Sequence, residues 1–237
     1  MTSPMTLRTL LVPPPLLAGA LVLEDDQAHH ARAVLRLIPG NRVRLADGAG
    51  LTAEGTVTLV DKRQVTVAVE APSQAAAGVA ALITVALAPP KGDRLGDVVR
   101  ALTELGVGTI LPLETERSER MPAQFERLQR IAGEALKQCR RAHLPQLGPV
   151  TDIPSLVRSG AELTVLDRSG RPAAPGTPRS VTLVIGPEGG LTATELAALT
   201  AGGAAVVRLA TPILRIETAA LAAAAVWTAA WMKDEPA

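Results

Sequence analysis

The sequence predicts an α/β chain in two parts, a small β-barrel or sandwich followed by a larger domain built on a mostly parallel sheet. Three observations carry that prediction. Between Thr9 and Ala71, short runs of strand-forming residues are joined by tight turns, the pattern of a small barrel or sandwich. From Leu82 onward, strand-like and helix-like runs alternate, and alternation of this kind builds a largely parallel sheet with helices on both faces. Between them PSQAAAGVA, residues 72–80, is small or polar and without periodicity, which marks a boundary. The 237 residues exceed the roughly 100 to 200 of a usual domain, so the expected domains are 1–72 and 80–237.

The chain begins its apolar part with LRTLLVPPPLLAGALVLEDD. Arg8, an apolar run and Ala18-Gly19-Ala20 imitate a secretion signal. Pro13, Pro14 and Pro15 break the helix that such a signal forms, so it is not read as one. The apolar stretch from Leu10 to Leu23 is also too short for a membrane span. In DDQAHHARAVLRL, Ala31, Val34 and Leu35, continued by Ile38, predict the apolar stripe of a helix. Strands follow at 42–45, 56–60 and 65–69, with Asp47-Gly48 as a turn.

In the second part, strands are expected at 82–88, 109–113, 163–166, 181–185 and 205–209, and helices at 93–105, 122–140, 192–200 and from about Glu217 onward. The helix at 93–105 is amphipathic through Leu95, Val98, Val99, Leu102 and Leu105, with Gly106 as its stop. The last helix, in ETAALAAAAVWTAAWMK, is small or apolar on nearly every side. Such a helix must be covered all round, within the core or by a second copy of the chain.

Composition narrows the function. Hydrophobic residues make up 47% and charged residues 20%, but aromatics only 1%, with two Trp, one Phe and no Tyr. The core is therefore aliphatic, and the chain has almost no rings to offer for recognition of single-stranded nucleic acid by stacking. The lone Cys139 rules out an internal disulfide, and three His with one Cys do not make a zinc cage. No metal is expected, and a reducing, cytoplasmic setting fits. A net charge of +1 leaves the distribution of charge to decide about polyanions.

Two loops concentrate residues suited to chemistry. VIGPEGGLTATEL runs from a strand through Gly186, Pro187, Glu188, Gly189 and Gly190 into a helix announced by the Thr192/Glu195 capping box. It reads either as a tight strand-to-helix turn or as a place where a flat ligand approaches bare backbone. It lacks both phosphate-loop spacings, and Glu188 disfavours an anion, so a neutral or cationic ligand fits better. LATPILRIETAAL sets Arg215 and Glu217 just before an uncharged helix. Glu217 either complements the helix dipole with Arg215 as its ion partner, or the two have a functional task.

Taken together, these loops resemble the signature of the SPOUT methyltransferases, and the whole chain is similar to the RsmE family of 16S ribosomal RNA uridine-N3 methyltransferases. The likeness runs through LVPPPL, HHARAVLRLIPGNRVRLADGAG, KGDRLGDVVRALTELGVGTILPLETERS, EALKQC, IGPEGGLTATEL and LATPILRIETAAL. Two places depart from the family: Ala210-Thr211-Pro212 stands where Gly-Pro-Arg is usual, and Ile216 where Thr is usual. The resemblance implies a PUA-like RNA-binding barrel, then a SPOUT domain tied in a trefoil knot, and a homodimer. It further implies S-adenosylmethionine held by Leu166, by Ile185, Gly186, Glu188, Gly189 and Gly190, and by Leu209, Ala210 and Leu214.

The chemistry so implied starts from a uridine N3 that must lose its proton before it attacks a methyl on a sulfonium, and opposite charges cancel as it does so. Arg215 is the expected stabiliser of the uracil oxygens, and Glu217 or Glu188 the expected proton acceptor. RNA affinity is expected from phosphate contacts. His29, Arg32 and Arg36 share the spacing of one helix face, Arg42 and Arg44 alternate on the next strand, and no acidic residue interrupts 29–44. Arg8, Lys91, Arg94 and Arg117, with Arg120, extend the basic track toward 16S rRNA or the small ribosomal subunit. A noncatalytic RNA-binding protein on the same fold is the alternative.

Overall fold

A computed structural model describes residues 7–118, 125–177 and 179–232; Arg120 and the expected helix start at Pro122 lie outside these. The chain divides into two compact units. One runs to Ala76 and takes in Leu136–Leu144, and the other holds Ala77–Ala135 and the chain from Pro145 on.

The first unit is a six-stranded sheet: β1 (Arg8–Leu11), β2 (Gly19–Glu24), β3 (Arg42–Ala46), β4 (Leu51–Val60), β5 (Gln64–Val69) and β6 (Ser73–Gln74). The spatial order is β1-β3-β4-β5-β2, with β6 beside β4 and only the β1–β3 pair parallel. Alternation sorts the faces: Val43, Leu45, Val65 and Val67 are fully buried with Leu10, Leu23 and Val57, each such burial contributing about 1.5–3 kcal/mol. Asp47 shapes the turn after β3, its Oδ1 accepting from the Ala49 and Leu51 amides at 2.8 and 3.0 Å. Segment 142–144 joins this unit through the Gly50 N–H to the Ala142 carbonyl and the Leu144 N–H to the Gly48 carbonyl.

The helix between β2 and β3 corrects the apolar stripe read from the sequence. After α1 (Asp25–His29) the chain opens into a π-helical turn, His30–Val34. Leu35 donates to the His30 carbonyl and Leu37 to that of Ala31, so the 3.6-residue period no longer applies. Ala28, Ala31 and Leu37 are buried, whereas Val34 and Ile38 are each 61% exposed. Arg36, with φ 52°, lies beyond the helix, so it does not continue the face of His29 and Arg32, although all three are exposed.

The second unit is a seven-stranded, wholly parallel sheet: β7 (Ile83–Leu87), β8 (Thr109–Glu114), β9 (Gln146–Leu147), β10 (Thr151–Asp152), β11 (Leu163–Pro172), β12 (Val181–Ile185) and β13 (Ala205–Arg208). Its order is β10-β8-β7-β12-β11-β13, with β9 beside β8. The helices are α2 (Leu95–Leu105), α3 (Phe125–Cys139), α4 (Ile153–Arg158), α5 (Ala193–Ala201) and α6 (Ile216–Trp231). Gly106, at φ 97°, ends α2 as expected. The capping box at α5 is made both ways, Glu195 N–H to Thr192 Oγ1 at 3.2 Å and Thr192 N–H to Glu195 Oε2 at 2.8 Å. Leu156 of α4 and Leu199 of α5 pack on Ala86, Val165 and Val184 of the sheet. The helix α6 buries Ile216, Ala220, Ala223, Ala224, Trp227 and Trp231 and lies against α2, β7 and β12. No helix among the described residues is long and apolar enough to cross a membrane.

Candidate active site

Three neighbouring parallel strands, β12, β11 and β13, end at one level, since Leu166 is in register with Ile185 on one side and with Val207 on the other. Their loops therefore leave the sheet side by side at its carboxyl edge, where α/β proteins bind ligands. They enclose a cavity of about 580 Å³, within the roughly 300–1,000 Å³ of small-molecule sites. It is lined by residues 166–168, 185–191, 207–210 and 212–216, with Ala219.

All nine residues expected to hold a cofactor line this one cavity, and Arg215 does so as well. Glu217 does not. Its carboxylate lies 3.2 Å from Arg94 Nη1, so the reading that paired it with Arg215 does not hold. The exposed Arg215 forms no ion pair among the described residues.

The cavity also holds groups the sequence did not single out. At the end of β11 the pairing with β13 slips between Leu166 and Arg171, both of which face Val207. Residues 167–170 are thereby pushed out of the ladder as a bulge, and Asp167 and Arg168 join the cavity wall. Asp167 Oδ1 accepts from the Ser169 amide and hydroxyl at 2.8 and 2.6 Å, closing the bulge on itself. The strands approach so closely there that a Cβ on Gly170 would stand 2.5 Å from the Val207 nitrogen. Arg208 Nη1 donates to the Gly170 carbonyl at 2.6 Å.

The glycine loop after β12 turns tightly, the Gly190 N–H donating to the Pro187 carbonyl at 2.8 Å, with Gly190 at φ 69° and open space where a side chain would stand. The exposed Glu188 accepts from the Lys91 amide at 3.2 Å. Arg117 Nη1 donates to the Gly189 carbonyl at 2.7 Å, and the Glu116 amide donates to Glu195 Oε1 at 2.8 Å. Lys91 and Arg117 thus abut the glycine loop, and Arg94 abuts the start of α6. In the other unit Arg8, His29, Arg32 and Arg36 are exposed and Arg44 is half-buried. The acid-free run read along the sequence does not hold in space for Arg42, which is paired with Glu54 and Glu70.

The lining fits a flat ligand that carries charge of both signs. Apolar walls come from Leu166, Ile185, Leu209 and Leu214, bare backbone from Gly189 and Gly190, negative charge from Asp167 and Glu188, and positive charge from Arg168, Arg208 and Arg215. S-adenosylmethionine has this profile, with an adenine ring, a sulfonium and an amino-acid end that bears a carboxylate.

Comparison with known proteins agrees with this architecture. Residues 80–228 match the RNA methyltransferase domain and residues 23–70 the RNA methyltransferase PUA domain. The chain belongs to this family of RNA methyltransferases. Among its relatives, the Ribosomal RNA small subunit methyltransferase E of Mycobacterium bovis is 32% identical over 230 residues, covering 89% of this chain and 87% of the relative. The protein of the same description from Synechocystis is 31% identical over 236 residues, covering 91% and 75%. Among solved structures, a Ribosomal RNA small subunit methyltransferase E from Neisseria gonorrhoeae, bound to S-adenosyl methionine, superposes with a TM-score of 0.84. It is 26% identical, and the match covers 95% of this chain and 98% of that one.

Proposed function

We propose that this chain transfers a methyl group from S-adenosylmethionine to N3 of a uridine in 16S ribosomal RNA, as a cytoplasmic homodimer. The observation that carries the reading is the meeting of three loops and Arg215 around one apolar cavity. When bound, S-adenosylmethionine supplies a methyl group on a positively charged sulfur. Leu166, Ile185, Leu209 and Leu214 exclude water, and the loop backbone at 186–190 orients the donor. Arg215, at the cavity and without a carboxylate partner among the described residues, offers its guanidinium to the uracil oxygens as N3 gives up its proton. Glu188 is better placed than Glu217 to take that proton, because Glu188 lines the cavity whereas Glu217 is held by Arg94.

The same reading assigns residues 1–72 to RNA binding and 80–237 to the SPOUT domain. A trefoil knot is supported by the path of the last elements. β13 lies beyond β11, yet α6, next in the chain, lies against β7 and β12, so residues 209–215 must pass back across the strand ends. Dimerisation is supported by the outer side of α6, where Thr218, Val226, Ala229 and the adjoining Met232 are exposed without a charge among them.

Mass spectrometry of small-subunit rRNA tests the target. Cells lacking this protein are expected to lose one 3-methyluridine, restored by the wild-type chain and not by Arg215→Ala. A full complement of that nucleoside in the deletion strain overturns the assignment.

A further inference from the structure

Arg42 and Arg44 lie on the same side of β3 and meet opposite surroundings. Arg42 is exposed between Glu54 and Glu70, and their bonds raise its pKa further above the usual guanidinium value. Arg44 is half-buried and has no carboxylate partner among the described residues; its Nη1 donates only to the Arg141 carbonyl, at 3.4 Å. Arg140 stands close enough for its charge to be felt at Arg44, and its own Nη2 reaches the Leu7 carbonyl at 3.4 Å. Burial pushes the Arg44 and Arg141 guanidiniums below their ordinary range, and the charge of Arg140 adds to this at Arg44.

Placing a second cation beside a half-buried guanidinium is unfavourable unless an anion completes the pair. Arg140 carries a further sign of constraint, holding φ 60° directly after α3, a left-handed conformation that a residue with a Cβ adopts at a cost. The bonds of Arg44 and Arg140 go to neutral carbonyls, and neither has a carboxylate partner among the described residues. We propose that Arg44 and Arg140 together form a site that binds the phosphodiester backbone of the RNA substrate. Guanidinium forks match phosphate oxygens in pairs, and contacts of this kind set register without reading bases. The proposal rests on the reading of the chain as an rRNA methyltransferase. It adds to the basic track a segment that the sequence places far from the first unit's strands.

The test is the salt dependence of binding to a fluorescent oligonucleotide carrying a small-subunit rRNA helix, from about 50 to 200 mM KCl. Removing one phosphate contact lowers the slope of log K against log salt by about 0.7–0.9. Arg44→Gln and Arg140→Gln are each expected to lose that much, with a weaker complex at low salt. Arg100→Gln, which removes an equal charge from an ion pair with Asp97 on α2, is expected to keep the wild-type slope. Arg140 is exposed, so its variant remains informative should Arg44→Gln fail to fold. Wild-type slopes in Arg140→Gln overturn this site while leaving the methyltransferase reading intact. Loss of inorganic phosphate binding with an unchanged RNA slope also overturns it, in favour of a free-anion site. A wild-type chain that does not bind the RNA at all overturns both.

Discussion

Arg215 stands at the N-terminus of α6 with extended backbone, φ −67° and ψ 158°, so its side chain leaves the helix toward the cavity rather than capping it. A guanidinium placed where negative charge develops on a base contributes most in the transition state and little to donor binding. Arg215→Ala is therefore expected to bind S-adenosylmethionine within about twofold of wild type and to lose about 10²–10³ in methyl transfer, by calorimetry and a tritium-transfer assay. Gly170 makes a different kind of contribution. Its missing side chain lets β13 close on β11 below the bulge, and a Cβ there meets backbone atoms of Val206 and Val207 at 2.5–2.6 Å. Backbone cannot step aside as a flexible side chain does, so Gly170→Ala is expected to cost about 1–3 kcal/mol by denaturant unfolding. It is also expected to weaken donor binding, because Asp167 and Arg168 ride on the same bulge.

At the scale of elements, α4 shows how a short helix is held and how it responds to acid. It has six residues, and its cap is Asp152, whose Oδ1 accepts the Ser155 amide at 2.8 Å. The Ser155 hydroxyl and then its amide hold the Asp152 carboxyl below the ordinary value. A carboxylate depressed in the folded state stabilises it fully above the unfolded value near 3.9, and that contribution is lost as pH falls through the folded value. Asp152→Asn keeps an acceptor that does not titrate, so its melting temperature is expected to fall less than wild type between about pH 5 and pH 2. Equal acid limbs in the two proteins refute this.

This helix was not legible in the sequence, because two turns are too few for a period to register. The elements that were legible have long amphipathic or wholly apolar faces, such as α2, β12 and α6, or a cap written in two residues, such as Thr192 and Glu195. The helix after β2 misled, since a π turn leaves no mark in composition and moves Val34 and Ile38 to the surface. The glycine loop and Arg215 could be picked out because glycines and lone charges beside apolar runs need a local reason. Asp167 and Arg168 could not, because a strand slip depends on a partner strand remote in sequence. The partners of Arg42, Arg94 and Glu217 were hidden for the same reason.

For the molecule as a whole, the remaining question is what covers the outer side of α6. Beyond Glu217 the helix is apolar or small on every side, and its inner residues are already used against α2, β7 and β12. Water is a poor neighbour for what is left, and each exposed apolar group returns about 25 cal/mol per Å² when covered. A second copy satisfies both chains with the same patch, as a two-fold interface requires. An interface there would lie on the helix that follows Arg215, so pairing would fix the start of α6 and with it the cavity wall. Ala229→Lys, at an exposed position of that stripe, places a charge where the partner would bury it and stays on the surface of a monomer. Sedimentation equilibrium is expected to show wild type near twice the chain mass and Ala229→Lys near once, with unchanged circular dichroism. A variant that remains dimeric removes this side of α6 from the interface. A monomer that still methylates rRNA at the wild-type rate separates assembly from catalysis.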